Sequence, residues 1–245
     1  MPNDVPGPAL SAPDDDAEAH ALELRSFGRR IGRTPSPRQA QLWAETLPRL
    51  AINVRQSVPV PLTDLFPQRV SGIWLEIGFG GGEHLVWQAE HNPAVGLIGC
   101  EPFRDGVVKV LAAIETQSLA NIRLHADDAR DVLRWLPEAS IGRAFVLFPD
   151  PWPKRKHVKR RLVNASLLAM LARVIKPGGQ LRLGTDIADY ARTMLISAQG
   201  EPRFRWTATS PSDWRIRPDD WPQTRYEAKA VREGRSSCYL VFERV

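Results

Sequence analysis

The chain has 245 residues, 43% of them hydrophobic, and a formal charge of +5. That length buries a substantial core in one domain with appendages, and no apolar run reaches the roughly 20 residues that cross a bilayer. The first 20 residues hold five acids (Asp4, Asp14, Asp15, Asp16 and Glu18) and no Lys or Arg, which leaves +10 on residues 21–245 and directs attention to a polyanionic partner.

Residues 1–20 are rich in Pro and Asp and lack periodicity, so they read as a disordered tail. They show no basic stretch followed by an apolar one, as a secretory signal would, and the expectation is a cytoplasmic protein. Residues 21–70 read as a basic arm and a connection. The arm carries Arg25, Arg29, Arg30 and Arg33 as candidate phosphate contacts; the connection is punctuated by Pro59, Pro61 and Pro67, with a short helix expected around Gln39–Leu47.

The main domain is expected over residues 71–245. Short apolar runs at Ile73–Ile77, Val95–Cys100, Ile122–His125, Ala144–Phe148 and Gln180–Leu183 predict buried strands. Between them, Glu83–Glu90, Phe103–Leu119, Ala129–Trp135 and Leu162–Ile175 predict helices, the last stopped by Lys176-Pro-Gly-Gly. Strand and helix in alternation imply right-handed crossovers and an α/β fold, with a mostly parallel sheet covered by helices on both faces. Phe204–Thr209 and Ser237–Glu243 predict two further strands paired antiparallel.

Leu-Glu-Ile-Gly-Phe-Gly-Gly-Gly places Gly78, Gly80 and Gly82 where the first strand turns into a helix. Glycines there let backbone approach a ligand closely, although a tight turn alone would explain them. The neighbouring carboxylates carry more information. Glu76 precedes the turn, Glu83 follows it, and Glu101 ends the second strand where an acid meets a ribose diol. A dinucleotide would bring a pyrophosphate that these acids repel. S-adenosylmethionine brings a sulfonium and an ammonium that they attract. Glu76 could instead only brace the turn. Asp127, Asp128 and Asp131 follow the third strand, and Asp128 is placed to accept from an adenine amine, with a helix N-cap as the plainer role for the group.

Phe-Pro-Asp-Pro-Trp-Pro-Lys, residues 148–154, follows the fourth strand at the sheet edge where open α/β folds bind ligands. Its alternating prolines predict a stiff extended loop that holds Asp150 and Trp152. Lys154, Arg155, Lys156, His157, Lys159, Arg160 and Arg161 come next, a density that suits phosphate neutralisation; as a bare charge run it would be a solvated face. Trp152 either stacks on a base or packs on the sheet. By spacing alone, Asp186 caps a helix and Thr224–Glu227 forms a surface loop. Cys100 and Cys238 are far apart and match no metal-ligand spacing, so neither a zinc site nor a disulfide is expected.

Together the Arg-Ser-Phe, Arg-Arg and Gly-Arg pieces of the arm, Leu-Glu-Ile-Gly-Phe-Gly-x-Gly, Phe-Pro-Asp-Pro-Trp-Pro-Lys, Thr185-Asp186 and Thr-x-Tyr-Glu from Thr224 resemble the bacterial tRNA (guanine-N7-)-methyltransferases, the TrmB family. The resemblance spans residues 25–227. It implies a class I S-adenosylmethionine-dependent methyltransferase fold, with cofactor contacts at Glu76, Glu101, Asp128 and Asp150. It also implies Asp150 as the catalytic residue, substrate contacts at Lys154, Asp186, Thr224, Arg225, Tyr226 and Glu227, and the variable-loop guanosine of tRNA as target. The family usually has Lys-Phe where this chain has Arg225-Tyr226, and whether its members are monomers or homodimers varies. Three rivals stay open: a nicotinamide-dependent oxidoreductase, a methyltransferase acting on an exocyclic amine or another base of RNA or DNA, and a non-catalytic RNA-binding protein.

Overall fold

The computed structural model describes residues 30, 32 and 34–245. The acidic tail and Arg25, Arg29 and Arg33 of the arm lie outside the described residues. An N-terminal helix, α1, runs from Pro37–Gln41 through a π-helical turn, Leu42–Thr46, to Leu47–Leu50. Ser36 and Gln39 form a reciprocal capping box at its start.

Among the described residues, seven strands form one sheet: β1 Gly72–Ile77, β2 Val95–Cys100, β3 Ile122–His125, β4 Ile141–Leu147, β5 Ile175–Thr185, β6 Phe204–Trp206 and β7 Cys238–Arg244. Their order is β3-β2-β1-β4-β5-β7-β6. β1 to β5 pair parallel, and β7 runs antiparallel between β5 and β6. The mostly parallel sheet and antiparallel C-terminal strand expected from the sequence are both present. No helix of the described residues is long and apolar enough to cross a membrane.

Strand alternation sends side chains to two cores. Ile73, Leu75 and Ile77 of β1 enter one core with Ala144 and Val146 of β4. This core also takes in the helices α4 Ala129–Trp135, α5 Ala165–Val174 and α6 Ala188–Gln199. Leu97 of β2 and Leu124 of β3 face the other core, formed with α1, α2 Glu83–His91 and α3 Arg104–Gln117. Two short helices complete the chain, α7 Ser212–Arg215 and α8 Arg225–Arg232.

Strand succession reverses between β1 and β4: β2 and β3 extend to one side of β1, while β4 and β5 extend to the other. Such a reversal leaves a crevice beyond the strand C-termini, and the glycine turn and the Pro-Asp-Pro-Trp loop both emerge there. Three features differ from the sequence reading. Lys176–Gly179 ends α5 as expected but bulges within β5, since Ile141 and Arg143 of β4 pair with Ile175 and Gln180. Helix α6, which buries Tyr190, Ala191, Met194 and Ala198, follows Asp186 as a helix cap there implied, but its N-cap is Ile187 and no side chain caps it, so Asp186 does not fill that role. Thr224–Glu227 is no surface loop: Thr224 caps α8, its Oγ1 accepting from the Glu227 N–H at 3.3 Å.

Candidate active site

The crevice contains a cavity of about 380 Å³. Its floor is the turn after β1, where Gly78, Gly80 and Gly82 all take positive φ values of 73°, 55° and 82°. Only glycine adopts such values without strain. Helix α3 presses against this turn through Gly106, where a Cβ would collide with the Gly80 carbonyl oxygen. Gly106 is thus a site residue that no spacing rule in the sequence marked.

Glu101, at the end of β2, is buried and lines the cavity. One carboxylate oxygen accepts the Gly80 N–H at 2.7 Å and the other the Phe103 N–H at 2.9 Å. Burial pushes its carboxyl above the ordinary value; the two N–H donors oppose that rise, and the charges of Asp150 and Glu76 add to it. Asp128 also lines the cavity and is the N-cap of α4, accepting the Arg130 N–H at 2.9 Å, so the plainer of the roles weighed for it is present. Its carboxyl too is raised, mainly by burial, with Arg130 countering. Asp127 lies beside it on the cavity wall and receives Arg30 Nη2 at 2.6 Å. Arg30, expected at an RNA phosphate, is therefore held against a cavity acid.

Glu76 sits on the other side of the turn. It is absent from the main cavity lining and borders a crevice of about 10 Å³ with Gly78, His84, Thr224 and Tyr226. The two spaces adjoin, since Gly78 and Tyr226 border both. Glu83 does not face the cavity either; it pairs with Arg225 at 3.5 Å.

The fourth strand delivers Asp150 to the cavity rim as an exposed carboxylate. Its loop is not extended. Phe148 and Trp152 have φ values of 49° and 43°, so the chain kinks on either side of Asp150, at positions where non-glycine residues are strained by about 1–3 kcal/mol each. Arg161 holds this shape. Its guanidinium donates to the Pro151 carbonyl at 3.0 Å, Thr193 Oγ1 at 2.7 Å and Asp189 Oδ2 at 2.5 Å, and lies over the Tyr190 ring.

Arg161 is only 3% exposed, which corrects its assignment as an RNA contact. The residues before it form a short 3-10 helix, Arg155–Arg160, on which Lys156 and Lys159 are exposed; Lys154, just ahead of it, is exposed as well. Partial desolvation and the charges of Arg160 and Lys154 hold the His157 imidazole below its ordinary value, so at neutral pH it adds no charge to the run. Arg160 lies over the Trp152 ring at 5.0 Å, and both line the cavity.

The expected substrate residues are distributed unevenly. Tyr226 lines the cavity and Thr224 the adjoining crevice. Arg225 donates to the Tyr226 hydroxyl at 3.1 Å. Glu227 is buried, bonded to the Tyr239 hydroxyl at 2.5 Å and Arg217 at 3.1 Å, and is not in the lining. Asp186 receives Arg235 Nε at 2.7 Å and lies outside the lining, as does Lys154.

A family model described as "Putative methyltransferase" matches residues 71–240. The chain is 50% identical to a tRNA (guanine-N(7)-)-methyltransferase of Rhizobium meliloti, over 89% of this chain and 94% of that one. It is also 50% identical to one of Hyphomonas neptunium, over 85% and 94%. Among solved structures, the fold matches the 16S rRNA methyltransferase KamB with a TM-score of 0.54 and 17% identity, covering 78% of this chain and 96% of KamB. TrmN from Thermus thermophilus matches with a TM-score of 0.53 and 19% identity, over 81% and 52%.

Proposed function

The chain belongs to the tRNA (guanine-N(7)-)-methyltransferase family, and from that premise we infer how its cavity transfers a methyl group from S-adenosylmethionine to N7 of a guanine in tRNA. The carrying observation is the state of the glycine turn. The Gly80 N–H, which a dinucleotide's pyrophosphate would need, is already donated to the Glu101 carboxylate. A nucleotide cofactor at this turn must therefore tolerate carboxylates and forgo the Gly80 N–H. That fits a cation without phosphates and disfavours a nicotinamide dinucleotide.

When bound, S-adenosylmethionine supplies an electrophilic methyl on a sulfonium. In this reading Glu101 keeps a lone pair on each oxygen for ribose hydroxyls, and Asp128, beside the cavity wall, accepts from the adenine amine. Glu76, across the turn, faces the amino-acid end. Guanine N7 has an in-plane lone pair and no proton, so no residue has to remove one, and positioning with electrostatics carries the reaction. Asp150 is the catalytic residue: from the rim it accepts from N1–H or the 2-amino group of guanine, orients the ring and balances the charge the base gains. Tyr226 lines the same cavity. Lys154, Lys156, Lys159 and Arg160, with Arg25, Arg29 and Arg33 of the arm, engage the RNA backbone in the cytoplasm while the base leaves its stack. Asp186 and Thr224 support the substrate side.

Purified protein incubated with unmodified tRNA and labelled cofactor, followed by nucleoside analysis, is expected to give 7-methylguanosine, and Asp150→Ala to lower turnover at least about 100-fold with the fold intact. A label in any other nucleoside, or full turnover by Asp150→Ala, would overturn this mechanism.

A further inference from the structure

Beneath the glycine turn a buried chain of polar groups leads from Glu76 to two side chains, His84 and Gln88, that the methyl transfer described above does not use. Glu76 on β1 is 2% exposed, His84 in the first turn of α2 is 2% exposed, and Gln88 one turn later is 1% exposed. Glu76 Oε2 lies 2.7 Å from His84 Nδ1. Gln88 Nε2 lies 3.2 Å from His84 Nε2 and donates to the Asp220 carbonyl oxygen at 2.8 Å.

The donor directions follow from chemistry. An amide nitrogen can only donate, so His84 Nε2 is an acceptor and the ring's single proton sits on Nδ1, aimed at the carboxylate. The ring itself is clamped edge-on between Phe145, at 4.6 Å, and Trp221, at 6.2 Å between centroids. Its plane is fixed by aromatic packing and its tautomer by Gln88. Glu76 therefore meets a donor that cannot turn away.

A carboxylate this deeply buried is costly unless bonded, and apolar contacts alone would have served α2 equally well in packing. The polar alternative is informative because Asp220 opens the segment that leads to the Thr224 cap and Tyr226, while Glu76 borders the crevice beside the cavity.

We propose that His84 is a positioning residue: its Nδ1–H fixes the Glu76 carboxylate in the orientation that receives the cationic amino-acid end of the methyl donor. The inference rests on the cofactor contact assigned to Glu76 above. Three variants of the full-length protein separate the two. Glu76→Gln tests the contact. His84→Leu removes the donor while keeping an apolar filling. His84→Asn places an amide N–H where Nδ1 stood but leaves the rest of the ring's space empty.

Titration calorimetry with S-adenosylmethionine, alongside thermal melting, is expected to show about 10-fold weaker binding for Glu76→Gln and for His84→Leu. His84→Asn is expected to return to within about threefold of the parent despite its lower melting temperature. A packing role predicts the reverse, with the cavity-forming Asn variant no better than Leu. If His84→Leu does not fold, His84→Gln serves instead, since its amide reaches past the Nδ1 position and should bind as weakly as Leu would. Normal binding by Glu76→Gln would remove the cofactor contact and this inference with it. Weakened binding by Glu76→Gln, with normal binding by His84→Leu or no recovery in His84→Asn, would remove the inference alone.

Discussion

Glu101 is asked to do two things with one carboxylate: brace the Gly80 and Phe103 N–H groups, and leave lone pairs for a ligand. Its burial has a consequence that can be measured. The carboxyl is raised above the 4.5 of an ordinary glutamate, so on acidification it protonates earlier than an exposed one. Between the unfolded and folded values the native chain holds the extra proton, and this group's contribution to stability falls as pH rises through that window. Ligand affinity runs the other way, because hydroxyl donors need the ionised form. Binding of S-adenosylmethionine should therefore weaken as pH is lowered, beginning above pH 4.5, and Glu101→Gln should bind about 10-fold more weakly at neutral pH with a flatter acid limb. Calorimetric titration across pH checks this; a parent curve as flat as that of the variant would contradict it. At this scale the sequence marked Glu101 and Asp128, which line the cavity, but not that Glu76 and Glu83 lie outside that lining. It concealed His84 and Gln88, whose only signal is that two polar residues sit four apart beside Leu85 and Ala89 on the buried side of α2.

The Pro-Asp-Pro-Trp loop shows how an element departs from its local chemistry. Alternating prolines argued for an extended run, yet Phe148 and Trp152 turn into the left-handed region. The strain is offset by contacts distant in sequence: the Phe148 N–H donates to Gly184 at 2.7 Å, and Arg161 ties Pro151 to α6. Arg161→Lys removes the forked geometry and keeps the charge. It should cost about 1–3 kcal/mol of stability and lower turnover more than cofactor affinity, because it loosens Asp150 and leaves Glu101 in place. Chemical denaturation with steady-state kinetics checks this, and an unchanged kcat would contradict it. Arg161 was misread because a charge run looks uniform until tertiary contacts bury one member. Helix α8 was missed for a related reason. Its eight residues bury only Glu227 and Ala230, too few to set up an apolar stripe, and Thr224 as cap is the one local sign. The main strands were legible because parallel strands buried on both faces read as short apolar runs.

On the scale of the whole molecule, strand order places one cavity at the reversal between β1 and β4, where carboxylates from three strand ends converge. Exposed lysines, Lys154, Lys156 and Lys159, follow β4 beside it. In the proposed mechanism the cavity acids receive the cationic donor and the exposed lysines after β4 receive the polyanion. The sequence conveyed the signs of these charges but not their arrangement, since Arg30 against Asp127 and Arg225 against Glu83 are contacts that only the fold creates. The sign of the cavity's charge decides which cofactor it accepts, so the most direct measurement is calorimetric titration of the purified protein with S-adenosylmethionine and with NADH under identical conditions. Saturable binding of the sulfonium and none of the dinucleotide is the predicted result. Binding of NADH, or no binding of S-adenosylmethionine, would contradict it.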